Sequence, residues 1–135
     1  MEILERLGRT AASFPEVRLA VLFGSTARGK AGPRSDVDLG ILLEPYSPEV
    51  RCKVEAELGR AASKAVDVVL LDEAPPLLRF EITRDGVLLF EREEGLWTDF
   101  KAKAMVDWWD WAPTARMMGE IAIRRLREKV AGGAG

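Results

Sequence analysis

Two carboxylates stand at the mouth of an apolar run. Asp36 and Asp38 flank Val37 at the start of a stretch that continues Leu39-Gly40-Ile41-Leu42-Leu43, and an earlier apolar run, Arg18 to Phe23, closes in Gly24-Ser25. Runs without polar alternation are expected of strands covered on both faces. A carboxylate taken into such a strand costs several kcal/mol unless something neutralises it. The fold must therefore bring this pair to an end of the sheet. The i, i+2 spacing puts both side chains on one face of a strand, about 6–7 Å apart. Oxygen donors so spaced can share one or two hard cations. Mg²⁺ is bound in this way, with substrate phosphates completing its shell. A third carboxylate on a neighbouring strand would complete a two-metal site. Asp67 begins such a strand, and Asp72, in a stretch that reads as a loop, competes with it.

Composition narrows the chemistry. The 135 residues include no histidine, which removes Ser-His-Asp and Cys-His catalysis and disfavours zinc. Any catalysis rests on carboxylates, hydroxyls, Lys, Arg or oxygen-bound metal. The single cysteine, Cys52, rules out an internal disulfide and fits a reducing cytoplasm. No apolar run approaches the ~20 residues of a membrane span, and Met1 to Arg6 does not read as a signal peptide. The expected location is cytoplasmic, with no membrane partner. The net charge of −2 argues against a general polyanion binder. Arg124, Arg125, Arg127 and Lys129 suit a helix C-terminus, where positive charge is favoured, and no direct nucleic-acid binding is expected.

Ile3, Leu4, Leu7 and Ala11 predict an amphipathic helix over 2–12. Strands follow at 18–23 and 37–43. Ser47-Pro48 caps a helix to about residue 63. Residues 65–71 read as a third strand, Pro75-Pro76 opens a helix with Leu77, Leu78 and Ile82 as its apolar face and Gly86 as its stop, and 87–90 form a fourth strand. From Glu94, Trp97, Phe100, Ala104, Trp108 and Trp111 repeat at three and four. They predict a long helix that Pro113 should end or kink, with a second helix through Met117, Met118, Ile121 and Leu126 to about Val130. This aromatic stripe suits either core or a partner interface. The whole reads as one α/β (α+β) domain over 1–135, a small mixed sheet flanked by helices. Its core spans about 1–93, a C-terminal helical extension about 94–130, and residues 131–135 a disordered tail.

Gly24-Ser25 is also suited to phosphate, since a glycine ahead of a helix lets phosphate oxygens reach backbone N–H groups. Arg28 lies one turn further on, as a phosphate contact or as part of a solvated loop. Gly24 to Lys30 satisfies the first part of a P-loop, but Ala31 stands where Ser or Thr must hold Mg²⁺, and Gly32-Pro33 breaks the required helix.

The pattern Gly24-Ser25-x-x-Arg28-Gly29, a short loop, then Ser35-Asp36-x-Asp38-Leu39 resembles the nucleotidyltransferase superfamily with the DNA polymerase β fold. More narrowly, Val66 to Glu81 and Arg84 to Glu91 resemble the minimal nucleotidyltransferase antitoxins, the MntA-like partners of HEPN-domain HepT toxins. The resemblance covers about residues 15–110. It implies that Gly24 and Ser25 bind the triphosphate of ATP. It implies that Asp36 and Asp38 hold two Mg²⁺ ions, and that Asp67 holds the ion activating the incoming hydroxyl or acts as its base. The implied reaction is attack on the α-phosphate with release of pyrophosphate, the acceptor being a tyrosine of a HEPN-type toxin. Two rivals stand beside it: transfer to a small-molecule hydroxyl such as an aminoglycoside, and a non-catalytic antitoxin that covers its partner.

Overall fold

The computed structural model describes residues 2–27, 29 and 36–133. The elements follow in order as α1 (Glu2–Ala12), β1 (Val17–Phe23), α2 (Gly24–Ala27), β2 (Val37–Leu43), α3 (Pro48–Ala62), β3 (Val66–Leu70), α4 (Pro76–Asp85), β4 (Val87–Glu91) and α5 (Leu96–Gly133). The four strands form one mixed sheet in the order β3-β2-β1-β4. β1 is antiparallel to both β2 and β4, and β2 is parallel to β3. The end of β1 and the beginnings of β2, β3 and β4 therefore lie at one end of the sheet.

Both sheet faces are covered, which is why the central strands read as unbroken apolar runs. Ala20 and Leu22 of β1, with Leu39 and Ile41 of β2, pack against Leu7 and Ala11 of α1 and Val54 and Leu58 of α3. Leu19 and Val21 face the other way and pack with Leu71, Ile82 and Trp97. The Ser47 hydroxyl accepts from the Val50 N–H and caps α3, as its position ahead of Pro48 suggests. Arg92, at the end of β4, donates to the carbonyls of Ala12, Phe14 and Val17 and so ties the α1–β1 turn to the sheet.

Gly86 stops α4 as expected, with an extended backbone, φ −70°, and not the left-handed one of a usual glycine cap. It is needed for space, since a Cβ there would overlap the Ile82 carbonyl oxygen and crowd Val21 and Trp97. Leu77, expected on the inner face of α4, is exposed, while Ile82 is fully buried. Pro113 does not divide the C-terminal region, because α5 is one helix with the proline inside it. The Trp109 carbonyl, which loses its intrahelical donor, belongs to an exposed stretch and can bond to water instead. The helix also runs through 131–133, where the sequence reads as tail, and residues 134 and 135 lie outside those described. The aromatic stripe is split: Trp97 is 8% exposed and belongs to the core, Phe80 stacks on Trp108, and Trp111 is exposed.

Candidate active site

The topology gathers the carboxylates. Val37, Leu39 and Ile41 of β2 belong to the cluster under α1 and α3, so Asp38 faces the other side of the sheet. Val66 and Val68 of β3 likewise face α1 and α3, so Asp67 shares the face of Asp38. The parallel register sets Asp38 directly beside Asp67. Across the other ladder Asp38 pairs with Phe23, the last residue of β1, so the turn into α2 comes back beside it. Gly24 makes that turn at φ +76°, and a Cβ at this position would overlap Oδ2 of Asp38. Only glycine suits both the backbone and the space. Asp36 precedes β2 and is exposed.

Electrostatics mark Asp38 as the centre of the group. Partial burial pushes its carboxyl above the usual 3.8, and the neighbouring charges of Asp67 and then Asp36 push it further. Three carboxylates that repel one another at the open end of a sheet are stabilised by a cation. Their donors are all oxygen, which suits Mg²⁺ and not the softer metals. Among the described residues no three acidic, cysteine or histidine side chains close around a single point. The carboxylates form an open set, as fits an ion that keeps part of its shell for water and phosphate. The residues present fit Mg²⁺.

Of the other residues singled out in the sequence, Ser25 lies in α2, directly after Gly24. Its side chain and the whole of Arg28 lie outside the described residues, as do positions 30–35. Asp72 is not part of the group. It follows β3 at the opposite end of the sheet, in the turn before α4, where its carbonyl accepts from Arg79. Arg79 also donates to Asp107 of α5, a link across two helices that no local sequence pattern signals. A concavity of about 500 Å³ lies between α1 and β4, lined by Leu4, Gly8, Ala12 and Leu89. It is on the face away from Asp38 and Asp67 and brings no carboxylate pair together.

The geometry has counterparts among known proteins. Over 116 residues the chain is 25% identical to the protein adenylyltransferase MntA of Aphanizomenon flos-aquae, an alignment covering 78% of this chain and 77% of that one. A chain from the crystal structure of a toxin–antitoxin with AMP-PNP superposes with a TM-score of 0.74 at 20% identity, over 88% of this chain and 98% of that one. A chain from a complex of tri-AMPylated Shewanella oneidensis HEPN toxin with MNT antitoxin superposes with a TM-score of 0.65 at 21% identity, over 90% of this chain and 99% of that one. These superpositions show the shared fold. The family model described as polymerase beta, nucleotidyltransferase matches residues 5–95, which hold Gly24, Asp36, Asp38 and Asp67 together with the whole sheet that positions them, and the chain belongs to that nucleotidyltransferase family.

Proposed function

We propose that this chain transfers AMP from ATP to a hydroxyl of a partner protein, a tyrosine of a HEPN-type toxin, and thereby acts as the antitoxin of the pair. The observation that carries this reading is the in-register pairing of Asp38 with Asp67 beside a glycine that leaves no side chain of its own. The relative named protein adenylyltransferase MntA and the structural likeness to a complex holding an AMPylated toxin support the choice of acceptor.

In this reading Asp36 and Asp38 hold Mg²⁺, with Asp67 completing the set. The metal supplies charge neutralisation at the phosphates and lowers the pKa of the attacking hydroxyl. The backbone at Gly24 and Ser25 holds the triphosphate. An Asp67 carboxylate oxygen orients the acceptor hydroxyl and receives its proton. The acceptor oxygen forms a bond to the α-phosphorus, the bond from that phosphorus to the bridging oxygen of the β-phosphate breaks, and pyrophosphate leaves with the electron pair. Burial, and after it the repulsion from Asp67 and Asp36, raises the Asp38 carboxyl, and a cation held by these carboxylates would offset both.

The test is neutralisation of a co-expressed HEPN-type toxin by the parent chain and by the double variant Asp36→Asn, Asp38→Asn. A transferase loses protection with the double variant even though complex formation persists. Full protection by that variant would identify a steric antitoxin instead.

A further inference from the structure

The chain holds one tyrosine, Tyr46, and it is 50% exposed. It stands in the short connection between β2, which ends at Leu43, and α3, which begins at Pro48. Both ends of that connection are fixed. The Glu44 N–H donates to the Glu16 carbonyl, and the Ser47 hydroxyl caps α3. Pro45 and Pro48 restrict the backbone on either side. The phenol is therefore presented to solvent from an anchored turn, and an acceptor already held in place loses less freedom when it reacts.

Arg51, in the first turn of α3, comes within hydrogen-bonding reach of the Tyr46 hydroxyl. Its own position is set by Glu55 and by the Val68 carbonyl, to each of which it donates at 3.2 Å. A guanidinium fixed beside a hydroxyl suits a phosphodiester formed on that hydroxyl, because its N–H groups match phosphate oxygens. Glu44 and Glu49, both exposed, flank the tyrosine. They oppose its approach to a site made of carboxylates, so transfer to Tyr46 is expected to be slow.

Tyr46 cannot enter the site of its own chain. Asp38 lies at the start of β2 and Glu44 just past its end, about 20 Å away at 3.3 Å per residue. The tyrosine and the carboxylates thus stand at opposite ends of the sheet, and a second copy must supply the site.

We propose that Tyr46 is itself an acceptor of AMP, modified in trans by another copy of this chain when no partner protein is present. This rests on the transfer reaction proposed above. The Tyr46 oxygen of one copy forms a bond to the α-phosphorus of ATP held by the other. The bond from that phosphorus to the bridging oxygen of the β-phosphate breaks, pyrophosphate leaves with the electron pair, and the phenolic proton passes to Asp67 of the copy that holds the ATP.

The chain alone, with Mg²⁺ and ATP labelled at the α-phosphate, tests the proposal, beside a parallel reaction that contains a HEPN-type toxin. The expected result is label on the chain, at an initial rate that rises as the square of chain concentration. Tyr46→Phe should lose this label and still label the toxin at the parent rate. Asp36→Asn with Asp38→Asn should stay unlabelled alone and gain label when mixed with Tyr46→Phe, since one copy keeps the acceptor and the other keeps the site. Label on the toxin with none on the chain overturns the proposal and leaves the transfer reaction standing. Absence of label from both overturns both. Label that persists on Tyr46→Phe, or a rate that is first order in chain, overturns the proposal as well.

Discussion

Gly24 and Asp38 come so close that position 24 has no room for a side chain: a Cβ there would overlap Oδ2 of the aspartate. The left-handed backbone at Gly24 adds to the constraint. Gly24→Ala should therefore carry about 1–3 kcal/mol of strain and push the Asp38 carboxylate off its position. The expected outcome is a chain that folds, melts at a lower temperature and transfers far less nucleotide. Transfer at the parent rate would show that the Asp38 position is not set by this contact.

Asp67→Asn keeps the shape of the side chain and removes its charge. Because Asp67 lies beside Asp38 in the parallel ladder, its loss should act on the reacting hydroxyl and not on ATP binding. The expected fall in turnover is about 10²–10⁴-fold, the usual worth of a positioned base, with nucleotide affinity retained in a calorimetric titration. A parallel loss of ATP affinity and turnover would assign Asp67 to ground-state binding instead.

The raised Asp38 carboxyl makes the metal-free chain sensitive to pH. The folded state binds this proton more tightly than the unfolded state does. Stability from this group therefore falls as pH rises from 3.8 through the raised value, and the cost is constant above it. Asp38→Asn removes that cost. In the presence of a chelator the variant should melt a few degrees above the parent at neutral pH, and the gap should close in acid, where Asp38 is protonated in both states. Mg²⁺ with a non-hydrolysable ATP analogue should raise the melting temperature of the parent much more than that of the variant. A variant that melts no higher than the parent at neutral pH contradicts the electrostatic account.

Much of this architecture is legible in the chain. The apolar runs around Leu19 and Ile41 have no alternation because α1 and α3 cover one side of the sheet while α4 and α5 cover the other. The Ser47 cap and the closing of α4 before Gly86 follow from local chemistry. Strand order is different, since it depends on pairings between distant residues. The sequence already favours Asp67 over Asp72, whose surroundings read as a loop, and the parallel register sets Asp67 beside Asp38 while Asp72 follows β3 at the far end. The bonds of Arg79 to Asp107 and of Arg92 to three carbonyls also lie outside any local pattern. Pro113 misleads as a helix breaker because the proline penalty assumes a carbonyl with no alternative partner. At an exposed position water supplies one.

The central claim is nucleotidyl transfer to a protein, and the position of the label in ATP tests it most directly. The chain, Mg²⁺ and a HEPN-type toxin are incubated with ATP labelled at either the α- or the γ-phosphate, and the separated toxin is counted. The account predicts label on the toxin from α-labelled ATP alone, with labelled pyrophosphate released from γ-labelled ATP and neither product formed by Asp36→Asn with Asp38→Asn. Label on the toxin from γ-labelled ATP, or a neutralised toxin carrying no label from either, would contradict it.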